Sequence, residues 1–459
     1  MMLHAIGRGL ARVALRWFYR EVTVVGLEHV PMHGPLLIAQ NHPNALVDAL
    51  TALAVMPRRV TLTAKATLVE NPLLRWLFPR VGVVPLRRAS DERARRAREG
   101  AATAAAGDAR NAASFDLLID ALASGAAVLI FPEGRSHSEP QLAPLKTGLA
   151  RIALQARDAR GVQGIAVLPV GLTFERKWQP RSRILVHVGE PLPLDGWTPS
   201  GGAAPVAALT AEVAERLRTV TLNYESEKDE AQTRLVARTL ADVFSPTRTL
   251  GRADAPLIEV AAMARRVERV RDGLSMVPAD EVADFLERIA ALRRIATEHD
   301  IALADAAIDP GARAGAWFAV REGAIMVLAL PAVVLGTVSN RLPLTLAWWL
   351  GRRTSRNLDE PAMHTIVAGS GLVLLAYLVQ GALVGVLAGW WWAALYLLLL
   401  PLTATWDLRW RDRARRARQR MRAYFLFRRE PALRAELLSA VGAVRAEAEA
   451  IEGQVSAAV

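Results

Sequence analysis

The sequence predicts an α/β domain followed by a helical segment and C-terminal transmembrane helices. Three observations carry this. Between residues 22 and 195, short β-branched apolar runs alternate with helical stretches, as they do in α/β domains. Residues 205 to about 308 are charged, rich in alanine and leucine and helix-patterned, without a long apolar run. From Gly323 onward, "GAIMVLALPAVVLGTVSN" and "TIVAGSGLVLLAYLVQGALVGVLAGWWWAALYLLLLPL" are nearly free of charge. About 20 apolar residues cross a bilayer core, so such runs read as membrane spans.

The elements follow in order. "MMLHAIGRGLARVALRWFYREV" reads as an amphipathic helix over 1–21, with Arg8, Arg12, Arg16 and Arg20 recurring every four residues. Arginines interrupt each of its apolar runs, which speaks against a cleavable signal. It is expected to pack on its own domain or to dock on a membrane surface. Strands are expected at 22–25, 36–40, 60–63, 83–86, 127–131, 166–173 and 184–188, and helices at 44–55, 71–78, 108–123 and 148–157. The stretch "PLPLDGWTPSGGAAP" marks a boundary near 204. This gives an α/β domain over 22–204, a soluble helical segment over 205–315, a membrane region of two to four spans over 316–406, and a basic tail over 407–459. The first apolar run is expected as one span, or as a tight hairpin around Arg341; the second as two helices broken near Gln380 and Gly381. Ten arginines in "RWRDRARRARQRMRAYFLFRR" place the tail on the cytoplasmic side and suggest a helix lying on anionic headgroups.

Composition narrows the chemistry. A chain of 459 residues is too long for a single ordinary core. Its net charge of +12 favours anionic partners, whether nucleic acid, anionic lipid or phosphorylated small molecules. There is no cysteine, which removes thiol nucleophiles, thiolate metal sites and disulfides. Nucleic acid is disfavoured, because the chain lacks interleaved aromatics or a zinc pattern and its basicity concentrates beside a membrane span.

Four stretches can carry chemistry. In "LLIAQNHPNALVDAL", a strand ends in Asn41 and His42, turns on Pro43, and is followed by Asp48. Positions six apart differ by about 240° around a regular helix, so His42 has to sit ahead of the helix and fold back for the two to meet. Such a pair would make a carboxylate-oriented imidazole, able to act as a general base. In "VGVVPLRR", a strand delivers Arg87 and Arg88, guanidinium groups suited to phosphate; Lys65 ends another short apolar run. In "VLIFPEGRSHSEPQLAPLKTGLARIAL", a strand ends in Pro132, Glu133, Gly134 and Arg135, and a loop leads to Lys146 at the head of a helix. Ser136 and His137 are neighbours in that loop, but there is no G-x-S-x-G elbow to make them a hydrolase pair. In "VLPVGLTFE", Pro169 interrupts a strand and is expected at an edge or bulge.

These four blocks, in this order over roughly 130 residues, resemble those of the glycerolipid acyltransferase family, which includes lysophosphatidate and glycerol-3-phosphate acyltransferases. Asn41, His42 and Asp48 match the first block; Gly82, Leu86 and Arg88 the second; Phe131, Pro132, Glu133 and Gly134 the third; Pro169 the fourth. The family commonly has four residues between His and Asp, where this chain has five. Its third block continues Gly-Thr-Arg-Ser, where Arg135 and Ser136 follow Gly134 directly. Both departures look like the branch of fungal-type glycerol-3-phosphate and dihydroxyacetone-phosphate acyltransferases and their bacterial relatives.

The resemblance implies a mixed sheet flanked by helices and a membrane-bound O-acyltransferase of phospholipid synthesis. His42, oriented by Asp48, would take a proton from a glycerol hydroxyl attacking the thioester of acyl-CoA or acyl carrier protein. Arg88, Glu133 and Gly134 would hold a phosphorylated glycerol or lysophospholipid acceptor, assisted by Lys65, Arg135 and Lys146. Asn41, Gly82, Pro132 and Pro169 would shape the site. The thioester is already activated, so no cofactor or metal is expected; a backbone amide near Asn44 or Gly134 would hold the oxyanion. The expected setting is the inner membrane of a bacterium, with catalytic domain and tail facing the cytoplasm. A lipid-binding membrane protein that keeps the fold without catalysis is the alternative.

Overall fold

The computed structural model describes residues 2–66, 70–86, 102–199, 202–244, 255–273, 277–355 and 360–458. The chain forms two compact units, one of residues 1–223 with 349–368, the other of 224–348 with 369–459.

The first unit is built on a mixed sheet. Helix α1 (Met2–Phe18) leads to β1 (Glu21–Val25), β2 (Leu36–Gln40), α2 (Ala45–Val55), β3 (Val60–Lys65), α3 (Pro72–Val81) and β4 (Val83–Leu86). Then come α4 (Ala102–Ala123), β5 (Ala127–Ile130), α5 (Gly148–Leu154) with a π turn at Gln155–Ala159, β6 (Ala166–Phe174), β7 (Arg183–Val188), β8 (Leu192–Pro193) and α6 (Pro205–Val220). The described strands lie in the order β1-β7-β6-β2-β5-β3-β4, with β8 pairing β6. Strands β6, β2, β5, β3 and β4 run parallel to one another and β1 runs parallel to β7, whereas β7 and β8 run antiparallel to β6.

Strand β2 is buried along its whole length, and its side chains alternate between two cores. Leu36 and Ile38 join Leu129, Leu168 and Val170 under α1 and α2. Leu37 and Ala39 join Val128, Ile130 and Val167 under α4, α5 and α6. Helix α6 contributes Leu209, Val213, Leu217 and Val220 to that second core, which carries the compact unit past residue 204. Gly171 allows the close approach of α6, because a Cβ there would sit 2.0 Å from the Val220 carbonyl oxygen. Gly171→Ala is therefore expected to destabilise the chain by about 1–3 kcal/mol, the usual penalty of overpacking, read as a lowered midpoint in thermal unfolding.

Helix α1 packs on this unit through Ala11, Leu15 and Phe18 and leaves Ile6, Leu10 and Val13 exposed. Two of its periodic arginines serve α2: Arg12 Nε donates to the Ala54 carbonyl at 2.9 Å and Arg8 to the Met56 carbonyl at 2.5 Å. Cations at a helix C-terminus satisfy its last carbonyls and its dipole, so these arginines hold the helix that carries Asp48.

Pro169 is not at a sheet edge; β6 is central. Pairing of β6 with β8 ends at Val167 and pairing with β7 begins at Val170, so the residue without an N–H falls in the interval between two partners. Its carbonyl accepts from the Gly189 N–H at 2.9 Å.

The second unit is helical. Helices α7 (Glu227–Phe244), α8 (Leu257–Asp272) and α9 (Ala279–Glu298) precede three long helices, α10 (Ala312–Thr354), α11 (Pro361–Ala388) and α12 (Trp390–Arg429), and α13 (Pro431–Ala458) follows; the end of α10 and the start of α11, residues 349–368, count with the first unit. Among the described residues, α10 and α11 are long and apolar enough to cross a membrane, by length and composition. The hairpin considered around Arg341 is not formed, since α10 is one helix of 43 residues passing through Pro331 and Pro343. The expected break near Gln380 and Gly381 is also displaced. Gly381 sits inside α11, where a Cβ would meet Leu397 at 2.9 Å, and the turn falls at Gly389, whose φ is +95°. Gln380 is satisfied within the helices, donating to the Ser339 carbonyl and accepting from the Tyr396 hydroxyl.

Several arginines in the basic half of α12 are engaged by carboxylates of the same unit. Arg416 is buried and makes a two-pronged pair with Asp305; Arg413 does the same with Glu322, and Arg411 pairs with Asp407. Phe427 is buried in the core that α9 and α13 build with Phe285, Ile289, Leu437 and Val444.

Candidate active site

The sheet topology brings distant sequence blocks to one edge. Because β2, β5, β3 and β4 are parallel, His42 follows β2, Glu133 follows β5, Lys65 ends β3 and Leu86 ends β4 all at their C-terminal ends. That edge is where ligands bind in open α/β sheets.

Asn41 extends β2 with its side chain: Nδ2 donates to the Leu172 carbonyl at 3.1 Å and Oδ1 accepts from the Leu172 N–H at 2.7 Å. This clamps the strand end to β6 and fixes where the next residue begins. His42 then stands three residues ahead of the first residue of α2, and Nδ1 lies 2.9 Å from Asp48 Oδ2. The same oxygen accepts from the Asn44 N–H at 2.7 Å. Ala45 adopts a left-handed conformation, φ +45°, that an L-residue enters only at a cost of about 1–2 kcal/mol. Its N–H is held by the Ser136 hydroxyl at 2.9 Å. The fold-back that the His-to-Asp spacing demands is thus made by the Pro43 turn and a strained Ala45.

His42 is buried, its ring stacked on Phe131 with centroids 3.9 Å apart and planes 12° from parallel. Asp48 is fully buried. Burial raises its carboxyl above the usual carboxylate range, opposed by the hydrogen bond and charge of His42 and by the Asn44 N–H. A carboxylate on Nδ1 selects the tautomer with its proton there, which leaves the lone pair on Nε2. Around this pair, Gln40 Nε2 donates to the Asp48 carbonyl at 3.0 Å. Asn44 Nδ2 donates to the Tyr19 hydroxyl at 2.9 Å and to the Lys177 carbonyl at 3.1 Å, and the Tyr19 hydroxyl donates to that carbonyl at 2.8 Å. Burial pushes the Tyr19 hydroxyl well up, so it stays a donor. Such an arrangement can accept a proton from a hydroxyl at Nε2 and hold the imidazolium that results.

Residues 21–173, which contain all four blocks, match the family model described as Acyltransferase. These residues are an acyltransferase domain. Curated relatives carry glycerol-3-phosphate or its 1-acyl ester in their names. Over 86 residues the chain is 41% identical to glycerol-3-phosphate O-acyltransferase 2 of Saccharomyces cerevisiae, covering 19% of this chain and 12% of the relative. It is 26% identical over 181 residues to a chloroplastic 1-acyl-sn-glycerol-3-phosphate acyltransferase of Arabidopsis thaliana, covering 39% of this chain and 42% of that one. The chain thus spans less than half the length of either relative. The crystal structure of the 1-acyl-sn-glycerophosphate acyltransferase PlsC of Thermotoga maritima is similar at a TM-score of 0.34 and 19% identity, over 47% of this chain and 78% of that one. The expectation of a bacterial source gains no support from the curated relatives, which are fungal and plant.

Within the acyltransferase domain the remaining expected residues fall into distinct places. Glu133 is buried and turned inward: Oε1 accepts from the His42 N–H at 2.7 Å, and Oε2 from the Ala143 N–H at 3.2 Å and from His137. Gly134 has φ +73°, a conformation that favours glycine, and a Cβ there would approach Lys146 Cγ at 3.2 Å. The Lys146 N–H donates to the Pro132 carbonyl at 2.7 Å, tying the head of α5 to the end of β5. Arg135 pairs with Glu139 on the exposed side of the loop. Gly82, φ +76°, makes the turn from α3 into β4. Lys65 is paired in register with Leu86, at the strand end that leads to Arg88; Arg88 itself lies outside the described residues.

Both backbone amides considered for an oxyanion are already bonded within the chain. The Asn44 N–H is taken by Asp48 and the Gly134 N–H by the Phe131 carbonyl, because each closes a turn that the His42 loop or the Glu133 loop requires. Among the described residues there is no cluster of three or more His, Asp or Glu that could hold a metal. Sequence reading missed Tyr19, Gln40 and His137 as members of the site. Of these only His137 carried a local signal, standing four residues after Glu133 in the same loop.

Proposed function

We propose that this protein is a membrane-bound O-acyltransferase that moves a fatty acyl group from acyl-CoA or acyl carrier protein to a hydroxyl of a phosphorylated glycerol or lysophospholipid. The observation that carries the reading is the buried His42–Asp48 pair at the C-terminal edge of the sheet. His42 Nε2 takes the hydroxyl proton, the alkoxide attacks the thioester carbonyl, and the imidazolium, stabilised by Asp48, returns the proton to the departing thiolate. The products are an ester and a free thiol. General-base help of this kind is worth roughly 10² to 10⁴ in rate, and positioning supplies much of the rest. Lys65, paired with Leu86 at the end of β4, and Arg88, two residues further along the sequence, are assigned to the acceptor phosphate. Helices α10 and α11 anchor the protein in the bilayer, and the acyltransferase domain faces the cytoplasm, where acyl thioesters are made.

The acceptor to try first is glycerol-3-phosphate, on the strength of the yeast relative, with dihydroxyacetone phosphate beside it from the family resemblance. Purified protein in detergent, given radiolabelled acyl-CoA or acyl carrier protein, should esterify one member of a panel that adds lysophosphatidate and other lysolipids. Label should appear in a phosphorylated lipid product. Transfer to none of these acceptors from either donor would leave a lipid-binding protein as the better reading.

A further inference from the structure

We infer that His137 is a positioning residue for His42, acting through the Glu133 carboxylate without touching substrate. The inference rests on the acyltransferase reading of the His42–Asp48 pair. Both polar groups of the His42 peptide are held by the loop after β5: its N–H by Glu133 Oε1 at 2.7 Å and its carbonyl by the His137 N–H at 3.1 Å. Ser136 adds a third grip on the Ala45 N–H. The loop therefore acts as a mould for the catalytic turn, and Glu133 is its central contact.

What holds Glu133 in turn is His137. The Glu139 N–H donates to Nδ1 of His137 at 3.3 Å, so that nitrogen carries the lone pair and the proton sits on Nε2. Nε2–H then donates to Glu133 Oε2, the oxygen that otherwise has only the longer bond from the Ala143 N–H. Both residues are buried, Glu133 at 2% and His137 at 8% exposure. A carboxylate in so dry a place needs well-made bonds on both oxygens, and without His137 only the 3.2 Å bond from the Ala143 N–H holds Oε2, a weaker restraint on its rotation. Rotation of Glu133 would release the His42 N–H and let the imidazole drift from Asp48 and from the Phe131 ring. A misplacement of about 1 Å at a reacting group costs on the order of 10²-fold in rate. The adjacent Ser136 and His137 thus divide their work: the serine oxygen caps Ala45 while the histidine ring faces Glu133, so they do not form a nucleophile and base.

The test compares His137→Ala and His137→Gln in the full chain, since glutamine keeps an N–H donor that can reach Glu133. His137→Ala should lower kcat for acyl transfer by about 10 to 100-fold, with KM for donor and acceptor within about twofold of wild type. His137→Gln should recover most of that loss. Selective ¹⁵N-histidine labelling gives a reading independent of catalysis: the low-field His42 Nδ1–H resonance should weaken or vanish in His137→Ala and persist in His137→Gln. An acceptor KM raised tenfold with kcat kept would make His137 a binding residue and overturn the inference. So would an unchanged His42 resonance in His137→Ala, or equal losses in the two variants. If the wild type transfers no acyl group, the acyltransferase reading falls and the resonance alone decides whether His137 positions His42.

Discussion

Replacing His42 with alanine should reduce acyl transfer by about 10³-fold or more while leaving KM for both substrates nearly unchanged. The magnitude follows from removing a general base, worth roughly 10² to 10⁴, together with the imidazolium charge that Asp48 stabilises. The split between kcat and KM follows from where the ring acts: it gains its proton only as the hydroxyl attacks, so its contribution belongs to the transition state. The variant also removes a buried ring stacked on Phe131 and one of the two donors to Asp48 Oδ2, leaving the Asn44 N–H as the other. Initial rates with labelled acyl donor, beside a thermal melt of the same preparation, separate lost chemistry from lost folding. A folded His42→Ala protein retaining a tenth of wild-type turnover would remove His42 from the role of base.

How much of this was legible in the sequence depends on the range of the interaction. The strands were legible because β2, β3, β4, β5, β6 and β7 are short β-branched runs punctuated by turn residues, and each lies within a few residues of its expected place. The four blocks were legible as an ordered set, and a parallel sheet explains why order suffices: strands entering in the same direction deliver their last residues to one edge. The contacts that tune the site were not legible. Tyr19 meets the Lys177 carbonyl 158 residues away, and Glu133 meets the His42 N–H 91 residues away; neither leaves a periodic trace. The family resemblance also gave Glu133 to the acceptor, where the folded loop engages both of its oxygens within the chain.

Glycine shows the same limit in the second unit. Gly381 and Gly389 both interrupt an apolar run, and composition alone cannot tell a glycine that permits a left-handed turn from one that makes room for a neighbour. Only the packing of Leu397 against Gly381 and the positive φ of Gly389 assign the roles. Likewise, the arginines of α12 read as a free basic face until their acidic partners at Asp305 and Glu322, roughly 90 to 110 residues earlier in the chain, are brought against them.

Asp48→Asn should lower turnover by about 10⁴ and yet leave the protein at least as stable as wild type near neutral pH. The loss of rate is what an acid-to-amide change produces where a carboxylate sets the tautomer of a catalytic histidine, because an amide can present N–H to Nδ1 and so put the ring's proton on the wrong nitrogen. Stability moves the other way for an electrostatic reason. Burial raises the Asp48 carboxyl in the folded chain above its unfolded value, and one of its oxygens, Oδ1, has no hydrogen-bond partner. A raised carboxyl favours the fold most below the ordinary carboxylate range. That contribution is lost as pH rises through the folded value, because the unfolded chain ionises first. An asparagine has no such dependence. Unfolding midpoints of wild type and Asp48→Asn measured across pH 4 to 8 should therefore separate in favour of the variant at the alkaline end and converge at the acid end. A variant less stable than wild type at pH 8 would mean that the bond to His42 outweighs the cost of burying the carboxylate.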